Sequence, residues 1–166
     1  MTDSNIIIKD RASRAIIIHG DGILLMFRHQ LKPSWEVKKY YVTIGWWVEW
    51  SETSEETLHR EVMEEAWIEV DIIDIITVYN YDMKWPNNDI LRYVTDVYLC
   101  KNKGDTFFQT KELDGPESLA YSDDNVFEIQ KINWNQLPEL NLIPIDMKWT
   151  IIDYAINNWY ISNISG

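Results

Sequence analysis

A chain of 166 residues with 46% hydrophobic and 25% charged residues is long enough to bury a core and short enough to be one domain spanning 1–166. Its net charge of −12 speaks against nucleic-acid polymers as partners, yet leaves a small anion open if cations neutralise its site. The single cysteine, Cys100, excludes an internal disulfide and fits a reducing, cytoplasmic compartment. No apolar run approaches the ~20 residues that span a bilayer, and the N-terminus reads without a cleavable apolar leader, so no membrane partner is expected.

Met1 to Lys9 reads as a short, frayed lead-in. Ala15-Ile16-Ile17-Ile18 is a buried strand, Gly20-Asp21-Gly22 a hairpin turn, and Ile23 to Phe27 the return strand. His29 to Lys39 is polar and contains Pro33, which predicts a loop; Tyr40 to Ile44 and Trp47 to Glu49 follow as short strands. Thr53 and Glu56 have capping-box spacing, so a helix begins at Thr53 or just after. Leu58, Val62 and Ala66 recur every fourth residue and give that helix an apolar stripe, widened by Met63. Asp71 to Tyr81 is rich in isoleucine, and its β-branching favours a strand. A turn over Met83 to Asp89, with Pro86 and Asn87-Asn88, leads to a strand over Leu91 to Lys101, where Cys100 reads as packing. Asn102 to Asn125 is long and polar, a candidate binding loop. Val126 to Asn133 is the last strand, and Pro144 with Asp146 opens a final helix carrying Ile152, Ala155, Ile156 and Trp159. One mixed sheet between helices is the natural reading.

The chemistry concentrates on the first helix. Glu61, Glu64 and Glu65 stand at i, i+3 and i+4, which puts three carboxylates on one face. Like charges at that spacing cost a helix roughly 0.2–0.5 kcal/mol per pair. Two readings are open: a solvated acidic face with Arg60 as partial relief, or oxygen ligands for a hard cation such as Mg²⁺ that also bridges substrate phosphates.

The wider stretch narrows the choice. Gly45-Trp46-Trp47-Val48-Glu49-Trp50-Ser51-Glu52 is followed by seven residues and then by Arg60-Glu61-Val62-Met63-Glu64-Glu65-Ala66-Trp67-Ile68. This resembles the Nudix box, Gly-x5-Glu-x7-Arg-Glu-U-x-Glu-Glu-x-Gly-U with U an apolar residue. Glu52, Arg60, Glu61, Val62, Glu64, Glu65 and Ile68 match in register, while the two pattern glycines fall on Trp46 and Trp67. The resemblance implies an α/β/α sandwich and a metal-dependent hydrolase that cleaves a diphosphate linkage in a nucleoside diphosphate derivative. It implies Mg²⁺ or Mn²⁺ held by Glu61, Glu64 and Glu65 and by the Gly45 carbonyl, with Glu61 also orienting or deprotonating the water. Glu52 and Arg60 would brace loop against helix. A further acidic group is expected outside the box, with Glu117, Asp123, Asp124 and Glu128 as candidates. Arg14, Arg28 and Arg92 are candidates for phosphate, Arg28 first among them because it follows the second strand. Trp35, Tyr81, Trp85 and Tyr121 are candidates to stack a base; His19, His29 and His59 share no metal spacing. The partner implied is a small-molecule nucleotide, and a homodimer is common in such proteins. The alternative is an inactive Nudix-fold module that binds a nucleotide or a protein.

Tryptophan and glycine are out of proportion. Ordinary usage of about 7% predicts roughly 12 glycines, against 6 glycines and 9 tryptophans. Trp67 follows the acidic helix where a left-handed residue is expected, a conformation costing a residue with Cβ roughly 1–2 kcal/mol. Trp46 is expected at a backbone bend, and Trp47 and Trp50 are odd in a tight loop. A gene whose UGA codons mean glycine, translated with UGA as tryptophan, gives this imbalance; Trp134, before Leu137 and Pro138, reads as authentic.

Overall fold

The computed structural model describes residues 5–31, 34–107 and 125–161. Among the described residues, seven strands form one mixed sheet: β1 (Ile6–His19), β2 (Gly22–Leu31), β3 (Val37–Val42), β4 (Ile44–Trp47), β5 (Val70–Lys84), β6 (Ile90–Asn102) and β7 (Asn125–Asn133). Its main path is β3-β2-β1-β6-β5, with β4 on β1 and β7 on β2. Helix α1 (Ser54–Ala66) covers one face and α2 (Ile145–Asn157) the other, with a 3-10 segment (Trp134–Glu139) leading towards α2. This is the α/β/α sandwich that the sequence implies.

Strand β1 explains the layering. Ala15 and Ile17 pack towards Leu58, Val62 and Ala66 of α1, whereas Ile16 packs towards Met147, Ile151 and Ala155 of α2. Successive side chains of a strand point to opposite faces, so a strand covered on both sides reads as a continuous apolar run. Cys100 is fully buried on the α1 side, and burial pushes its thiol up to about 12. Leu58 is also fully buried, so Leu58→Ala is expected to cost ~2–5 kcal/mol by transfer loss plus cavity. Urea unfolding measures that loss.

The strand pairs place the loop that matters. The hairpin at Gly20 joins β1 to β2 only over Ile17 to His19. Beyond that the two strands separate, β2 pairing with β3 and β1 with β4. Thr43 is therefore where the chain crosses from one strand to the other, ahead of Gly45. Gly45 has φ 132°, and a Cβ there would run into the Ser13 carbonyl.

Several expectations shift. Ile6 to Lys9 are not a frayed lead-in; they lie in β1, and Ile6, Ile7 and Ile8 pair with Ile90, Leu91 and Arg92 of β6. A local reading could not see a partner more than eighty residues away. Trp46 does not sit at the bend; it lies in β4 opposite Ser13, and Gly45 carries the unusual backbone. Val48 and Glu49 fall outside the strands, and β5 runs on to Lys84. Much of the candidate loop Asn102 to Asn125, with Glu117, Tyr121, Asp123 and Asp124, lies outside the described residues, as does Pro33. Among the described residues no helix is long and apolar enough to cross a membrane.

Candidate active site

Helix α1 starts where its cap dictates. The Thr53 hydroxyl accepts from the Glu56 amide at 3.1 Å, and the Glu56 carboxylate accepts from the Thr53 amide at 2.8 Å. Reciprocal capping of this kind satisfies two orphan donors of the first turn. The apolar stripe then docks the helix on the sheet and sets the rotation of its carboxylates. Glu61 and Glu65 are buried on the sheet side, whereas the Glu64 side chain is 41% exposed.

Arg60 is the hub of the cluster. Its Nε and Nη2 donate to the two Glu52 oxygens at 2.7 and 3.1 Å, a bidentate grip on the loop before the helix. Its Nη1 donates to Glu61 at 2.7 Å and to Glu64 at 3.2 Å, and Glu49 lies 3.5 Å from Nη2. The hydrogen bonds from Arg60, and then that from the Thr57 hydroxyl, hold the Glu52 carboxyl down at about 2, against an ordinary 4.5. A carboxyl depressed in the fold contributes stability above its unfolded pKa and loses it as pH falls through the folded one. The Glu52 share is therefore present at neutral pH and is lost between about 4.5 and about 2. A carboxyl NMR titration is expected to give Glu52 a midpoint near the lower limit, and Arg60→Ala to return it towards 4.5.

Glu65 has a different partner. It accepts the Gly45 amide at 3.1 Å, while the Gly45 carbonyl accepts Arg14 Nη1 at 2.7 Å. The same nitrogen donates to the Thr43 carbonyl at 3.0 Å. One peptide segment thus joins the glutamate helix on one side to Arg14 on the other. Arg14 lines a cleft of about 340 Å³ with Thr43, Tyr79, Thr95 and Met147. It continues past Tyr79, Thr95 and Pro144 into an aromatic depression of about 390 Å³ lined by Trp47, Tyr81, Met83 and Tyr93. The Trp47 and Tyr93 rings lie 5.9 Å apart and tilted.

The donors have the right chemistry for a hard cation, since all are carboxylate or carbonyl oxygens. Among the described residues, however, no three acidic, histidine or cysteine side chains converge on one point. Arg60 draws Glu61 and Glu64 to itself, and the Gly45 amide takes Glu65. Binding an ion here requires those side chains to turn from their present partners.

Of the three arginines that could meet phosphate, the structure brings Arg14 to Gly45, just ahead of the box. Arg28 lays its guanidinium over Phe127 at 4.7 Å, and Arg92 makes a bidentate pair with Asp82 at 2.8 Å per bond. Glu128 lies on the face opposite α1, because its neighbours Phe127 and Ile129 pack on the α1 side; Gln130 donates to it at 3.2 Å. A buried carboxylate that sequence reasoning passed over is Asp96 on β6. It pairs in register with Ser13, which on its other edge pairs with Trp46, and it accepts from Arg11 at 3.2 Å. An aspartate inside the apolar run Val94 to Cys100 was the available signal. His19 meets Asn102 at 2.9 Å.

The family model for the NUDIX domain matches residues 9–148. The chain belongs to the Nudix family. Its solved structural relatives show the same fold at low identity. A MutT protein from Bacillus halodurans is 18% identical, with a TM-score of 0.59 over 87% of this chain and 80% of that one. A Nudix hydrolase from Nitrosomonas europaea is 13% identical, with a TM-score of 0.60 over 89% of each chain. An ADP-ribose pyrophosphatase from Streptococcus suis is 16% identical, with a TM-score of 0.53 over 90% and 91%. No curated protein matches the chain. Within this Nudix domain, α1 is the box helix and Gly45 directly precedes the box.

Proposed function

We propose that this Nudix protein is a metal-dependent diphosphatase that hydrolyses a nucleoside diphosphate linked to a further group. The observation that carries the reading is the Gly45 peptide, whose amide reaches Glu65 and whose carbonyl reaches Arg14 at the mouth of an aromatic cleft. Carboxylates for a cation and a guanidinium for phosphate stand on either side of the segment Thr43 to Gly45. The two contiguous depressions, about 340 and 390 Å³, have the size and apolar walls of small-molecule sites.

In this reading Glu61, Glu64 and Glu65 would hold Mg²⁺ or Mn²⁺; the Gly45 carbonyl, expected as a fourth oxygen, faces Arg14 and would join them only on leaving it. The ion would neutralise the diphosphate and lower the pKa of a bound water. Glu61, buried beside the sheet, would orient the attacking water once it turns from Arg60. Arg14 grips the phosphate end, since a guanidinium meets phosphate oxygens bidentately. Tyr81, Tyr93 and Trp47 supply faces on which a base stacks. Glu52 and Arg60 keep loop and helix in register and touch no substrate.

The test is Mg²⁺-dependent hydrolysis of a panel of nucleoside triphosphates, nucleotide sugars and dinucleotides, followed by product chromatography. The expected result is cleavage at the diphosphate, releasing a nucleotide and a second product that also carries phosphate, pyrophosphate in the case of a triphosphate. Nucleotide binding without turnover, in this chain and in a version with glycine at 46 and 67, would overturn the hydrolase in favour of a binding module.

A further inference from the structure

Five described residues other than glycine have a left-handed backbone: Trp35, Ser51, Trp67, Asn88 and Trp159. Such a φ occurs in only a few per cent of non-glycine residues, mostly asparagine and aspartate, and is an outlier for a bulky side chain. Three of the five are tryptophan, in a chain with 9 tryptophans and 6 glycines. Asn88 is the kind of residue that visits this region; three indoles are not.

The local structures name the residue that is missing. Helix α2 ends in a Schellman arrangement, in which the Trp159 amide donates to the Ile156 carbonyl at 3.2 Å and the Tyr160 amide to the Ala155 carbonyl at 2.8 Å. The residue at its left-handed position is usually glycine, and here it is Trp159 with φ 66°. Helix α1 ends in a left-handed stop at Trp67, φ 56° and ψ 36°, whose amide donates to Met63 at 3.0 Å. Trp35, φ 64°, lies in the connection from β2 to β3. The three indoles bury little surface there, since Trp35, Trp67 and Trp159 are 83, 52 and 88% exposed. Trp134 behaves differently: it is buried and stacks on Tyr160 with ring centres 4.7 Å apart.

We infer that positions 35, 67 and 159 are glycine in the natural protein, specified by a codon that its own genetic code reads as glycine and the common one as tryptophan. Trp35, Trp67 and Trp159 stand in glycine geometry, whereas Trp134 packs as a tryptophan. Position 67 bears on the site as well, because it stops the helix two residues after Glu65.

Reading the gene decides the inference at its source. UGA is expected at 35, 67 and 159 and UGG at 134; UGG at any of the first three, or UGA at 134, overturns it. A second measurement is independent of the gene. The triple variant Trp35→Gly, Trp67→Gly, Trp159→Gly is expected to raise the thermal midpoint by roughly 5–10 °C, whereas Trp134→Gly lowers it. A triple variant that melts no higher than the parent overturns the assignment of these positions to glycine.

Discussion

Glu64→Gln is expected to cut Mg²⁺-dependent turnover about 10²–10³-fold, the scale for removing one group that serves charge developing in the transition state. Glu64 gives the cleanest test of the three. Its side chain is 41% exposed and its one hydrogen bond to Arg60 is the longest of that hub, at 3.2 Å. An exposed i,i+4 pair of this kind contributes only ~0.3–0.5 kcal/mol, so neutralising it leaves the fold intact. Glu61 and Glu65 lack that separation. Glu61 is buried and bonded to Arg60 at 2.7 Å, and Glu65 holds the Gly45 amide, so their replacement alters the loop along with the chemistry. Loss of turnover in Glu64→Gln with an unchanged melting curve would tie the carboxylate to the reaction. Retained turnover would take Glu64 out of the reaction and leave it a solvated charge beside Arg60.

The parts of this architecture that depend on near neighbours in the chain were readable, and those that depend on distant partners were not. Thr53 and Glu56 announce their capping box because both halves lie within one turn, and Leu58, Val62 and Ala66 announce the buried stripe because a helix repeats locally. Gly20 and Gly22 mark the hairpin for the same reason. Ile6 to Ile8, by contrast, are isoleucines near an end of the chain until β6 pairs with them. The role of Arg14 emerges only when β4 lies beside β1 and carries the Gly45 carbonyl to it. Asp96 and Glu128 make the point about faces. Both are acids in strands, yet one comes into register with Ser13 beside Trp46 and the other turns to the side opposite α1. The aromatic cleft joins side chains from β4, β5 and β6 with Pro144, a set that no local window contains.

Arg60→Ala is expected to destabilise the protein by about 3 kcal/mol at neutral pH, and Mg²⁺ is expected to restore more stability to this variant than to the parent. Arg60 lies within hydrogen-bond reach of Glu52, Glu61 and Glu64, and within 4 Å of Glu49. Removing it leaves Glu61 buried beside like charges, and a carboxylate stripped of its partner in such a setting costs roughly 3–5 kcal/mol. The lower end applies because Arg60 itself is a quarter exposed and water can reach the gap. On the proposed reading the two cations would compete for the same oxygens. While Arg60 holds Glu61 and Glu64, an incoming divalent ion must displace its hydrogen bonds; without Arg60 the same carboxylates are left to the ion, and binding to the folded state adds stability by RT ln(1 + [L]/Kd). Thermal unfolding of both proteins across a Mg²⁺ titration reads the difference directly. A larger midpoint rise in Arg60→Ala, abolished by adding Glu64→Gln, would establish that arginine and metal share the box carboxylates. Equal rises in both proteins would place the ion elsewhere and leave Arg60 as a brace between loop and helix alone.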